Sequence, residues 1–141
     1  MSIQKMPIAL EMYSVREEFA KAPEETLVRI REMGYDGVEF YGSEENNLPA
    51  GECERALRNA GLKCMGYQPN WPFVGRDTLL RTFEYSAAIG NRRIGIASAP
   101  VDMLRQRDTL EAVIRHLNWV NDEAVKAGFE IGYHTHKTDF V

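Results

Sequence analysis

Short apolar runs alternate with longer amphipathic segments along the whole chain, and the handover from one to the other repeats. At Met33-Gly34, Ala60-Gly61, Ile89-Gly90 and Ala127-Gly128 a helical pattern stops at a glycine, and an apolar run begins within a few residues. Glycine just past a helix end takes the left-handed conformation without steric cost, so each of the four marks a helix C-terminus. The pattern predicts strands over 8–13, 37–41, 63–68, 93–98 and 130–134, with a helix between each pair. Pro23 suits the first turn of the helix ending at Met33. Asp77 reads as the cap of the helix through Ile89, and Asp108 with Glu111 as a capping box for the helix through Ala127. The helix over 51–60 is the shortest.

Strand-helix units repeating at about 30 residues signal right-handed crossovers, which require a parallel sheet with helices packed outside it. An open doubly wound sheet and a barrel both satisfy that order. The strand ends separate them. Residues two apart on a strand share a face, so Ala9 pairs with Glu11, Gly37 with Glu39, Gly66 with Gln68 and Gly132 with His134. Each pair is small, then polar. Small residues leave room inside a barrel, and polar residues at the carboxyl ends gather at the mouth where barrel enzymes work. The fourth strand departs from the rule, because Gly95, Ala97 and Ala99 bring no titratable group to that face.

Several of these residues are candidates for chemistry. Glu39 sits in an otherwise apolar strand, where a carboxylate must be paired, metal-bound or protonated. His134 and His136, two apart, can reach a metal or polarise a carbonyl; one inward histidine and one on a loop, neither bound to metal, is the plainer reading. Arg16 has the charge to hold a phosphate or carboxylate and equally has Glu17 and Glu18 as surface partners. Trp71, in the loop 69–73, either walls a substrate pocket or caps the helices. His116 falls off the apolar stripe of its helix and reads as solvated.

Composition narrows the field. The chain has 141 residues, 44% of them apolar, and residues 1–141 read as one domain with a real core. A net charge of -4 leaves no basic stripe for a phosphate backbone, so nucleic acid is not an expected partner. The N-terminal seven residues carry no signal pattern, and no run approaches the roughly 20 apolar residues of a membrane span. The expectation is a cytoplasmic protein with no membrane partner, in which Cys53 and Cys64 are reduced packing residues.

The segments 8–16 (IALEMYSVR), 33–40 (MGYDGVEF) and 132–136 (GYHTH) together resemble the sugar phosphate isomerase/epimerase family of xylose isomerase-like barrels. The likeness runs through the chain in order. It implies a TIM (β/α)8 barrel, of which this chain supplies the N-terminal half. It further implies a divalent metal (Mn, Mg, Co or Zn) at the mouth and a carboxylate that removes a proton next to a carbonyl. The substrate class implied is a small sugar, sugar phosphate or cyclitol. Glu39 and His134 match catalytic positions, Glu11, Arg16, Gln68 and Trp71 stand for substrate binding, and His136 is the one candidate metal ligand. Glu11 stands where the family often has glutamine, Gln68 where many have histidine, and Thr135 breaks the usual His-Asn-His. A complete barrel takes about 250 residues. The expectation is therefore an enzyme site left incomplete, with a non-catalytic half-barrel fragment or interaction module as the alternative, and with open sheet edges through which two copies could associate. A metal-dependent endonuclease on the same barrel is disfavoured by the acidic balance.

Overall fold

The structure, a computed structural model, describes residues 6–43 and 46–140. Five parallel strands run in sequential order: β1 (Ala9–Glu11), β2 (Gly37–Gly42), β3 (Lys63–Pro69), β4 (Arg93–Ala97) and β5 (Glu130–His134). The crossovers are α1 (Arg16–Lys21) with α2 (Pro23–Glu32), α3 (Ala50–Ala60), α4 (Leu79–Ala88), and α5 (Val101–Leu104) with α6 (Arg107–Ala127). The glycines at 34, 61, 90 and 128 all take positive φ, between 69° and 95°, as the helix-end reading requires.

The strands bury one face against the helices in two adjoining clusters. Val38, Phe40 and Tyr67 meet Leu27, Ile30 and Leu57, while Ile94 and Ile96 meet Phe83, Val120 and Phe129. Burying that apolar area is the main force holding helices to sheet. The other face carries Glu39, Gly66, Gly95 and Gly132 around an open groove of about 340 Å³.

Three local expectations are corrected. The first strand is three residues long, because Met12 is wholly buried and begins a 3-10 turn (Met12–Val15) leading into α1, a helix the hydrophobic pattern did not predict. Asp77 does not cap α4. That helix starts at Leu79, and the turn before it is tied by Thr78, whose Oγ1 accepts from the Gly75 N–H at 3.1 Å and donates to the Pro72 carbonyl at 2.8 Å. Nor do Asp108 and Glu111 form a capping box. Asp108 lies inside the first turn of α6, and Glu111 pairs with Arg107 and Arg115 on the exposed helix face.

Candidate functional site

Glu39 stands half-buried on the open face of β2, with β1 on one side and β3 on the other. Its Oε2 accepts a hydrogen bond from Gln68 Nε2 at 2.8 Å. The β1–β2 register sets Glu11 directly beside it. On the β3 side the register jumps between Val38 and Glu39: Val38 pairs with Cys64, but Glu39 pairs with Gly66, leaving Met65 as an extra residue. This bulge puts a residue without a side chain next to the carboxylate. A Cβ on Gly66 would lie 2.5 Å from Glu39 Oε1, so the carboxylate occupies the space the glycine leaves.

The electrostatics follow from that packing. Burial, the largest influence, pushes the Glu39 carboxyl above the usual carboxylate range. The Gln68 hydrogen bond opposes it, the negative charge of Glu11 adds to it, and His134 pulls the other way. Glu11, Gln68 and His134 thus all act on Glu39, and the structure brings together the polar ends of β1, β2, β3 and β5.

The mouth continues past β5. His134 pairs in register with Ala97, and its ring lies 4.8 Å from that of His136. His136 Nδ1 meets Ser98 Oγ at 2.5 Å, and Ser98 Oγ lies 3.1 and 3.2 Å from the two carboxylate oxygens of Asp139. Sequence reasoning found neither Ser98 nor Asp139. Because β4 ends at Ala97, Ser98 no longer obeys the strand alternation that made the fourth strand look empty. The available signal was an aspartate three residues after His136, the spacing of a side chain that closes a turn on its own backbone.

The remaining candidates have contacts of their own. Arg16 donates to the Tyr13 carbonyl at 2.8 Å, sits 4.3 Å over the Tyr13 ring and approaches Glu17 at 3.8 Å. Trp71 packs on the helix side, its ring 5.0 Å from that of His116. His116 is therefore not simply solvated: it is half-buried between Trp71 and Trp119 and hydrogen-bonds the Val74 carbonyl through Nε2 at 3.0 Å.

Among the described residues no group of three or more His, Cys, Asp or Glu side chains comes together as a ligand set for a metal ion. The described residues do not by themselves make a ligand set for the divalent ion that the sequence resemblance implies.

Neither a protein-family model nor a curated protein matches the chain. Solved structures do. A sugar phosphate isomerase/epimerase from Parabacteroides distasonis superposes with a TM-score of 0.70 at 20% identity, covering 96% of this chain and 53% of that one. An AP endonuclease, family 2, from Brucella melitensis superposes with a TM-score of 0.69 at 19% identity, covering 91% and 55%. The chain has the fold of half a (β/α)8 barrel. The half barrel spans about half the length of these structures, and the first of them carries the name of the family its sequence resembles. The second shows that the half-barrel fold alone does not separate sugar from nucleic acid; the expectation against nucleic acid rests on charge. No helix among the described residues is long and apolar enough to cross a membrane.

Proposed function

We propose that the half barrel contributes the proton-transfer end of a sugar or sugar phosphate isomerase/epimerase site, with Glu39 as the base that removes a proton next to a carbonyl. The observation that carries this reading is the Glu39 carboxylate itself, held over Gly66 by Gln68 and made more basic by burial. A base works best when its pKa is drawn toward the working pH, and a carboxylate raised by desolvation moves that way. Gln68 occupies Oε2 and fixes the plane of the carboxylate, while Oε1 lies on the Gly66 side. His134 acts on Glu39 across the mouth and in this reading donates to the substrate oxygen on which negative charge develops. Glu11, beside Glu39, is assigned to substrate hydroxyls, which donate to a carboxylate. Further barrel strands, of the kind the longer solved structures carry, complete the pocket and supply whatever ligands a divalent metal needs.

Support comes from the fold shared with a sugar phosphate isomerase/epimerase and from the gathering of three strand-end side chains, Glu11, Gln68 and His134, around one acid. The test is proton exchange. A panel of aldoses, ketoses, cyclitols and their phosphates is incubated with the protein in deuterated water, with and without a divalent metal, and NMR follows loss of the proton next to the carbonyl. Exchange by the wild type that vanishes in Glu39→Gln supports the reading; exchange at the wild-type rate in that variant overturns it. Incision of an abasic duplex, run alongside, would favour the endonuclease reading that the second solved structure keeps in view.

A further inference from the structure

The segment just past β4 and the loop just past β5 are joined by a chain of hydrogen bonds whose proton positions can be worked out. Asp139 is a half-buried carboxylate that accepts the His136 backbone N–H at Oδ2, 2.9 Å away, while its own N–H donates to the His136 carbonyl at 2.9 Å. These two bonds lock the turn. Ser98 Oγ lies against both Asp139 oxygens, at 3.1 and 3.2 Å, and against His136 Nδ1. The neighbouring Ala99 N–H donates to Tyr133 Oη at 2.9 Å, which pins the Ser98 segment to β5.

A serine hydroxyl has one proton, and an ionised carboxylate can only accept. If Ser98 gave its proton to His136, its lone pairs would face two carboxylate oxygens with no hydrogen between, which is repulsive. The arrangement that satisfies every atom has Ser98 donating to Asp139 and His136 Nδ1–H donating to Ser98. A neutral imidazole carries a single N–H, so placing it on Nδ1 leaves Nε2 bare. Among the described residues no hydrogen bond engages that Nε2, and His136 is exposed.

We infer that Ser98 and Asp139 are positioning residues that hold His136 in the Nδ1–H tautomer, so that its exposed Nε2 lone pair is left as an acceptor for a substrate hydroxyl. The tautomer stands on geometry alone; its use on a polyol rests on the isomerase reading above. Neither Ser98 nor Asp139 contacts substrate in this scheme. They act through His136, as carboxylates and carbonyls elsewhere orient imidazoles.

The experiment is histidine side-chain NMR on the 15N-labelled full chain at about pH 8.5, roughly two units above the ordinary imidazole value. The His136 signals are identified by their loss in His136→Gln. The expected spectrum has pyrrole-type nitrogen at Nδ1 and pyridine-type nitrogen at Nε2, and Ser98→Ala moves both signals toward the average of the two tautomers. A wild-type spectrum with the proton on Nε2, or one already averaged, overturns the inference without recourse to any variant. Unchanged His136 signals in a folded Ser98→Ala protein overturn it as well. The spectrum needs no substrate. The tautomer therefore stands or falls by this spectrum alone, while the isomerase reading stands or falls by the proton-exchange result in Glu39→Gln.

Discussion

Glu39 owes its character to three neighbours at atomic distance: Gln68 bonded at Oε2, Glu11 alongside it, and the absent side chain of Gly66. Its raised pKa has a consequence for stability. A carboxyl whose folded value exceeds its unfolded one binds its proton more tightly in the folded state, so its stabilising effect is complete below the ordinary carboxylate range and is lost as pH rises through the folded value. Urea unfolding of wild type and Glu39→Gln should therefore show the wild type losing ground to the variant as pH rises upward from the ordinary carboxylate range. A constant difference would mean that burial does not perturb this group. Gly66→Ala tests the same contact sterically. The new methyl would lie 2.5 Å from Glu39 Oε1, so the carboxylate, the free end of a flexible side chain on an open groove, must move aside. The expected result is loss of proton exchange with little change in the urea midpoint.

Among the elements, the glycine-ended helices repeat faithfully, yet each is anchored by a different contact. The last unit is fastened where Phe83 of α4 stacks on Phe129, the residue leading into β5, with ring centroids 4.6 Å apart and planes at 17°. Both rings are nearly buried. Phe83→Ala removes one side of that stack and leaves a cavity, for which about 3–5 kcal/mol is typical. Thermal unfolding should register the loss, and far-UV dichroism at low temperature should show the secondary structure retained. The ion pairs Glu25–Arg29 at 2.6 Å and Glu54–Arg58 at 2.9 Å lie on exposed helix faces, where each is worth only a few tenths of a kcal/mol.

For the whole molecule, the sequential strand order leaves β1 and β5 each with one neighbour in the sheet of described residues, while β2, β3 and β4 have two. Backbone amides protected on one side open more readily than those in the middle of a sheet. Hydrogen exchange followed by mass spectrometry should find the slowest amides in β2 to β4 and markedly faster ones in β1 and β5. Equal protection at the edges would show that another chain or segment covers them in solution. The open face, with glycines at 66, 95 and 132 and polar residues at its rim, is built to line a cavity rather than to pack against a second apolar layer.

The parallel order of strands and helices was legible in the sequence because it depends on local rules: apolar period, strand length, and glycines that alone tolerate positive φ. So was the gathering of Glu11, Glu39, Gln68 and His134, since strand alternation fixes which side chains share a face. The caps expected at Asp77 and Asp108 fail because α4 begins only at Leu79, after a turn tied by Thr78, and because Asp108 already lies within the first turn of α6. Only the tertiary structure decided that a bulge at Met65 sets Gly66 against Glu39, that Trp71 packs against His116, and that Ser98 and Asp139 bracket His136. These contacts join residues far apart along the chain, and register, burial and the path of the crossover loops settle them only once the helices have packed against the sheet.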